Sequence, residues 1–314
     1  MSLENLPADG SRAHFAPVLP ELPDNGKPTA RLHFDSLAEL AAMIPAKIPA
    51  RLVGKGYWTE GDEGFYGTTK NMGEALTLAR DGWQDGADRA MPLLDRVKMA
   101  RPTRRALTRF DVAGAVPVIP RYLAGNPLAM KTQQRSATNQ SPIITLVSST
   151  SAPWWVSPDT FESAAVAALA IVDRLEDAGF RVEIIAGRRE SDNSDGAGEG
   201  SGANNTKGSR CEMFFRLKAA QDPLDAARVV FGIGHPAVHR RILFAAGDMH
   251  PAFRPILGEF QGYAVGLPPL DRPAGSFILP SIAAMSKKKI TDPIAAFDDA
   301  IETLRAQGCP GLEE

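Results

Sequence analysis

The chain has 314 residues, enough for about two domains of ~150 residues each. Its hydrophobic fraction of 44% and charged fraction of 23% are those of ordinary globular proteins, and its net charge of −2 points to no polyanionic partner. Two cysteines exclude a disulfide scaffold and a zinc site built from cysteines.

Nothing in the sequence indicates a membrane protein or a secreted one. No apolar run approaches the ~20 residues that a bilayer span requires. The first ten residues lack the charged and apolar regions of a signal peptide. We therefore expect a cytoplasmic protein with no membrane partner.

The first half of the chain predicts a small α+β domain. Residues 1–30 contain five prolines and predict an irregular arm. In the domain that follows, 31–132, helical spacing after the capping residue Asn71 predicts a helix. The aromatic, turn-rich stretch 51–70 predicts two short strands joined by a turn. The polar stretch 133–142 predicts a linker that ends the domain.

The second half, 143–314, predicts an open α/β sheet. The apolar run 143–147 is typical of a buried parallel strand. A helix whose predicted cap is Ser157 or Asp159 ends at Gly179, and the next strand is expected over 180–186. This order is one βαβ unit.

A low-complexity segment interrupts this second half. Residues 187–209 are rich in Gly, Ser, Asn and Asp, and they predict a mobile insert because they have too little apolar surface to offset the entropy of ordering. Strands at 211–217 and 276–280 and a last helix at 292–308 follow. The fold class is therefore predicted as α/β, an open and mostly parallel sheet with helices on both faces in Rossmann-like layering.

A polar segment follows the first strand of this sheet. It lies at the carboxyl edge, where open α/β folds bind ligands. Two adjacent tryptophans come next and cannot both face one side of a strand, so one is expected to be exposed, either as a contact anchor or as packing for the next helix. The candidate partner-binding residues are Ser148, Ser149, Ser151, Trp154 and Trp155.

The strongest electrostatic signal is a basic segment over residues 96–135. It contains nine basic residues and one acid, Asp111, a net charge of +8 on a chain of net charge −2. It predicts a nucleic-acid site, a solvated basic face, or a structural surface that pairs with the acidic residues of the first domain, Asp62, Glu63, Asp81, Asp85 and Asp88. The candidate nucleic-acid contacts are Arg101, Arg104, Arg105, Arg109, Arg121, Lys131 and Arg135.

Three histidines lie within 16 residues: His235, His239 and His250. The first two have the i, i+4 spacing of a helical metal pair. However, Pro236 is expected at the first helical position, which makes His235 a cap, and the glutamate of the HExxH motif is missing. Glycine-rich nucleotide motifs, a nucleophile elbow and a triad spacing are also missing. We therefore expect no metal, no cofactor and no catalytic residues.

Three stretches carry a family resemblance: FYGTTKNMGEALTLARDGW (65–83), DVAGAVPVIPRYLAGNPLAM (111–130) and GHPAVHRRILFA (234–245). They resemble a family of uncharacterised proteins of tailed bacteriophages and prophages, over roughly residues 35–305. These motifs carry no assigned chemistry, so the resemblance implies a phage context in a bacterial cytoplasm rather than a mechanism.

The second half is similar to a von Willebrand factor A-like domain whose metal loop has decayed. That family has Asp-x-Ser-x-Ser after its first strand, and here the serines are Ser149 and Ser151, while Val147 stands at the Asp position. The nearest candidate for the family's later Asp is Asp271. Magnesium needs charged oxygen ligands, so no metal is expected. Domains of this family are usually protein–protein adaptors.

These observations lead to two hypotheses. The first is a non-enzymatic phage adaptor that docks a protein partner through 148–155. The alternative is a phage nucleic-acid-binding protein that uses the basic segment.

Overall fold

The computed structural model describes most of the chain. The described residues are 29–45, 47–59, 61–100, 108–112, 116–133, 142–191, 210–250, 253, 263–264 and 275–312. Across these ranges, no helix combines the length and the apolar character that crossing a bilayer requires.

Strands and helices alternate along these residues. The described strands are β1 (Thr29–Phe34), β2 (Thr108–Asp111), β3 (Val116–Pro117), β4 (Met130–Gln133), β5 (Ile143–Ser149), β6 (Arg181–Ser191), β7 (Arg210–Lys218), β8 (Tyr263–Ala264) and β9 (Ser276–Ile278). The described α-helices are α1 (Leu37–Ala42), α2 (Glu63–Tyr66), α3 (Met72–Asp81), α4 (Gln84–Ala100), α5 (Ile119–Leu123), α6 (Pro158–Asp177), α7 (Ala226–Gly234), α8 (Phe244–Met249), α9 (Ile282–Lys287) and α10 (Pro293–Ala306). A 3-10 helix (Ala50–Leu52) and a π-helix (Val238–Leu243) complete them.

The main sheet confirms the predicted α/β class. Its strand order is β1-β7-β6-β5-β9, and the short β8 pairs with the end of β6. β1 is parallel to β7, and β5 is parallel to both β6 and β9, whereas β6 and β7 are antiparallel. The apolar run of β5 is buried, as a strand inside such a sheet requires. The sheet is therefore open and mostly parallel.

The core lies mainly on one face of this sheet. Successive residues of a strand point to opposite faces, and Val182, Ile184 and Ala186 of β6 belong to one large cluster that also contains the buried residues of the helices. Ile185 belongs instead to a separate cluster of four sheet residues. The described helices that contribute buried residues therefore pack on one face, and the second helical layer that the sequence predicts is not found among the described residues.

β1 joins the two halves of the chain. It precedes the predicted linker, yet it is the edge strand next to β7, in a register from Thr29↔Arg210 to Phe34↔Phe215. Residues before and after 133–142 thus share one sheet and one core. The predicted arm 1–30 overlaps β1 at its last two residues, and its remainder, 1–28, lies outside the described residues, as does 134–141 of the linker.

Two local predictions need correction. The stretch 51–70 contains a 3-10 helix and α2 rather than two strands. The insert predicted from residue 187 begins later, because β6 continues to Ser191 and pairs with β7 up to Ser191↔Arg210. What remains of the insert, 192–209, lies outside the described residues.

A small second sheet precedes β5. Its order is β2-β4-β3, with both pairs antiparallel, and α5 lies between β3 and β4 in the chain. It contains part of the basic segment.

Candidate functional site

The predicted serine segment is buried. Ser148, Ser149, Thr150 and Ser151 continue from β5 into the interior. The Thr150 amide and hydroxyl both donate to the carbonyl of Gly187, at 2.7 and 3.0 Å. The Ser151 hydroxyl donates to the carbonyl at position 189, at 3.3 Å. These side chains therefore fasten the end of β5 to β6 instead of facing solvent.

The tryptophan pair lies at the surface beyond them. Trp154 is 74% exposed and Trp155 is 63% exposed, and their rings meet edge to face with centroids 5.8 Å apart. We call residues 153–156 the tryptophan loop. Two adjacent large aromatic side chains facing water are unusual on a folded surface, and such groups mark interaction sites.

A buried arginine supports this loop from the protein interior. Arg240, 1% exposed and part of the π-helix, donates from Nη2 to the carbonyls of Pro153 (2.9 Å), Trp154 (3.3 Å) and Val156 (3.0 Å). Its Nη1 donates to the carbonyl of Phe65 at 2.7 Å. Burial lowers the pKa of Arg240 to about 10, so the group remains charged at neutral pH. Its charge strengthens these bonds to the loop carbonyls.

The next residue, Arg241, holds the segment 57–70 in place. Its five N–H groups all have acceptors. Nε donates to Thr69 Oγ1, Nη1 to the carbonyls of Tyr57 and Thr59, and Nη2 to those of Thr69 and Lys70, at distances of 2.8–3.2 Å. Because Arg240 bonds to both Phe65 and the tryptophan loop, the two arginines bring the segment 57–70 and that loop together.

Carboxylates border the tryptophan loop. Asp62 caps α2 by accepting from the Gly64 amide at 2.9 Å, and Glu63 follows it in the first turn; both are exposed. The Arg240 bonds place α2 beside the tryptophan loop, because Phe65 and Trp154 share that guanidinium. Asp159 is exposed in the first turn of α6. Three exposed carboxylates therefore lie on α2 and α6, the elements next to the tryptophan loop.

The histidines support the structure. His235 Nδ1 accepts from the Ala237 amide at 3.1 Å, which is the capping contact expected from the sequence, and its Nε2 lies 3.1 Å from the Thr68 hydroxyl. Burial lowers the pKa of His235 to about 3 and lowers that of His239 well below its usual range. In the described ranges, no group of three His, Cys, Asp or Glu residues is arranged to hold a metal ion.

The basic segment divides into two parts. Arg96 pairs with Asp292 (3.6 Å) and Lys98 with Asp173 (2.9 Å), so these cations connect α4 to the second half of the chain. Arg121 in α5 donates to the Leu128 carbonyl at 3.4 Å. Of the remaining candidates, two lie on strands of the small sheet, Arg109 and Lys131. Four lie outside the described residues: Arg101, Arg104, Arg105 and Arg135.

A pocket of about 270 Å³ opens where β1 and β7 end. Two of its cations are already neutralised: Arg216 Nε lies 2.9 Å from Glu183 Oε1, and Lys218 Nζ lies 2.8 Å from Glu176 Oε1. The third, Arg228, pairs with Asp225 at 3.1 Å. Each cation that lines the pocket is therefore already paired with a carboxylate.

The exposed tryptophans were predicted from the sequence, whereas the arginines that support them were not. A signal was present, because the two arginines interrupt the otherwise apolar stretch AVHRRILFAA. Arginine is almost never buried unless its donors are paired. A pair of arginines within an apolar helix is therefore a sign of a structural anchor.

Comparisons with known proteins place the chain in a family. Neither the curated proteins nor the solved structures contain a match. One family model, described as a domain of unknown function, DUF7192, matches residues 18–310, which is almost the whole chain. The chain therefore belongs to the DUF7192 family.

Proposed function

We propose that this chain is an adaptor, rather than an enzyme, and that it binds a protein partner through the tryptophan loop. The observation that carries the proposal is the exposed pair Trp154–Trp155 on a loop whose carbonyls are held by the buried Arg240.

The physical argument concerns both area and rigidity. Tryptophan is among the residues most enriched at energetic centres of interfaces, and each large aromatic side chain buries ~150–250 Å². A loop that is ordered before binding loses little conformational freedom when the partner arrives. Arg240 supplies that order, so the loop is well suited to specific docking.

The two resemblances seen in the sequence support the same proposal. The serine segment follows the parallel strand β5 and precedes a long helix, α6, and a second parallel strand, β6. This local order is the one on which the likeness to von Willebrand A-like domains rests, and those domains are usually adaptors. The likeness to phage and prophage proteins suggests a partner present in a phage-infected bacterial cytoplasm.

The proposal is tested by affinity purification of the full chain, with and without nuclease, from the cells in which it is naturally made. A protein that copurifies with wild type in the presence of nuclease, and is lost in the Trp154→Ser/Trp155→Ser double variant, supports it. Val53→Ser is the matched control, because Val53 is an exposed apolar residue elsewhere on the surface.

The alternative, nucleic-acid binding by the basic segment, has its own outcome in this experiment. If all partners vanish with nuclease, and Arg104→Glu/Arg105→Glu abolishes recovery while the tryptophan variant does not, the adaptor proposal is wrong. Binding through phosphates would also weaken steeply with salt, with a log–log slope of about −3.5 on single strands for roughly five contacts.

A further inference from the structure

The pocket of about 270 Å³ lies at the carboxyl ends of the parallel strands β1 and β7. Its lining comes from residues 35–38 after β1, from 216–219 with 221 and 222 at the end of β7, and from α3 and α7. Open α/β sheets bind ligands in the crevice outside the carboxyl ends of their strands. Because β7 is antiparallel to β6, and β6 is parallel to β5, this pocket and the tryptophan loop lie at opposite ends of the strands.

The lining combines a buried apolar part with an exposed polar part. Leu37, Ala79 and Phe231 are buried, whereas Asp35 and Asp222 are exposed. An apolar cavity with a few convergent polar groups is typical of small-molecule sites. A water molecule occupies ~30 Å³ in the liquid, so the pocket has room for about nine non-hydrogen atoms. The pocket therefore fits a ligand smaller than a typical drug molecule.

The cations of the lining are poorly available to an anionic ligand, because each is paired with a carboxylate. Lys218 is the clearest case. Its Nζ lies 2.8 Å from Glu176 Oε1 and donates to the carbonyls of Val182 and Ala219, at 2.9 and 3.4 Å. These three partners match the three N–H donors of a lysine. An anion would therefore have to displace an existing partner.

Two carboxylates of the lining are in excess. Asp35 Oδ1 lies 3.7 Å from Arg216 Nη1, but the same guanidinium is closer to Glu183, with Nε 2.9 Å from Oε1. In the part of the chain that the structure describes, the Asp222 carboxylate has no ion pair and no hydrogen bond. Three cations, their three partner carboxylates and these two aspartates give a net charge of −2. A cleft of one charge sign concentrates ligands of the opposite sign.

We propose that this pocket binds a small organic amine. Its ammonium group binds the carboxylates of Asp35 and Asp222, and its apolar part packs on Leu37 and Phe231. An ammonium group has N–H donors for both carboxylates, and hydrogen bonds between charged partners are the strong ones. A metal ion fits less well, because the apolar lining offers it no oxygen ligands. This site is separate from the tryptophan loop, so the inference goes beyond the adaptor function and does not depend on it.

The first experiment compares hexylamine, 1-hexanol and hexanoate, which share one alkyl chain and differ in the charge of the end group. Each is titrated to ~20 mM into the purified, ¹⁵N-labelled full chain, and the NMR shifts of the backbone amides of Ser36, Ala38 and Ala219 report on the pocket. Hexylamine is expected to saturate these shifts with a Kd of roughly 1 mM. Hexanol lacks the charge-assisted bonds and should bind at least ~10-fold more weakly, and hexanoate should not bind.

The second experiment removes the charge or the space. Asp35→Asn/Asp222→Asn keeps the shape of both side chains and should raise the Kd of hexylamine at least ~5-fold, close to that of hexanol. Ala38→Phe places a ring in the pocket and should abolish the binding of both probes. Asp95→Asn is the matched control, because Asp95 is exposed on α4 and does not line the pocket. Urea melts verify that each variant is folded.

The comparison of the three probes on wild type does not depend on the folding of any variant. Equal affinity for hexylamine and hexanol, or no shift of the pocket amides at ~20 mM, would overturn the inference. So would an unchanged affinity for hexylamine in the folded double asparagine variant. Trp154→Ser/Trp155→Ser should bind hexylamine as wild type does, so a failure of the adaptor proposal and a failure of this inference are measured separately.

Discussion

The guanidinium carbon of Arg241 lies 3.9 Å from the centroid of the Tyr66 ring, while the five N–H groups of the same side chain donate to oxygens of residues 57–70. Backbone carbonyls removed from water need partners, and in this segment one arginine supplies them in place of a neighbouring strand. Arg241 therefore determines the path of the segment that holds α2 beside the tryptophan loop.

Replacement of Arg241 by lysine is expected to destabilise the protein by about 3 kcal/mol. Lysine has three donors on a point charge and cannot reproduce the planar fork, so at least two buried oxygens lose their partners. Urea denaturation measures the change. Arg228→Lys is the control, since Arg228 is exposed and makes only a surface ion pair, and it should cost less than ~0.5 kcal/mol. Equal losses in the two variants would show that Arg241 has no special structural role.

The same contacts explain why one part of the fold was predicted wrongly. Helices such as α3 and α6 were predictable because their periodicity, caps and terminal glycines lie within each segment. The fold of 51–70 depends on Arg241, 171 residues or more beyond that segment, and local patterns contain no trace of it. β1 differs, because Ala30, Leu32 and Phe34 alternate with polar residues and are buried. That period-2 signal was available and was missed.

The candidate site was predictable only in its exposed part. Adjacent tryptophans must leave one ring outside a strand, and here both are exposed. The serines were expected at the edge of the sheet, but the bonds of Thr150 and Ser151 to β6 turn the segment inward. The apolar surroundings of Arg240 in the sequence mark it as a buried anchor, but they do not say which loop it supports, because that loop is 84 positions or more away.

The Gly67→Ala substitution is expected to lower the free energy of unfolding by about 2–4 kcal/mol. Gly67 has φ = +68°, and an added Cβ would lie 2.7 Å from His235 Cε1, so backbone strain and a clash with a buried ring add together. Gly125→Ala is the control for a positive φ without a clash, because Gly125 has φ = +70° and no atom within 4 Å of an added Cβ, whereas Gly67 also has ψ = −155°, which only glycine adopts readily. The second variant should cost only ~1 kcal/mol. Thermal or urea unfolding of both variants gives the comparison, and equal costs would mean that the clash is relieved by movement.

The effect on stability of shortening the low-complexity insert is expected to depend sharply on the residue at which the deletion begins. Replacement of 192–209 by a short Gly-Ser link should leave the melting temperature within a few degrees, since loop length contributes little to closure entropy. Replacement of 187–209 removes the strand residues that pair with the start of β7, including the buried Arg188 and Arg189. We expect that variant to lose soluble expression. Similar melting temperatures for the two deletions would contradict the extension of β6 to Ser191.

The buried histidine at the start of the helix that follows α7 predicts how stability changes with pH. Burial lowers the pKa of His235 to about 3, below its ordinary value of 6.5. The unfolded chain therefore binds a proton between pH 6.5 and 3 that the folded chain does not, and stability present above pH 6.5 is lost as the pH falls through this window. His235→Asn keeps an acceptor for the Ala237 amide but does not titrate. As the pH decreases from 6.5 to 5, the unfolding free energy of this variant should fall less steeply than that of wild type. The two slopes should differ by up to ~1.4 kcal/mol per pH unit, which corresponds to one proton. Urea melts at several pH values measure both slopes, and parallel slopes would show that His235 is as easily protonated in the fold as in the unfolded chain.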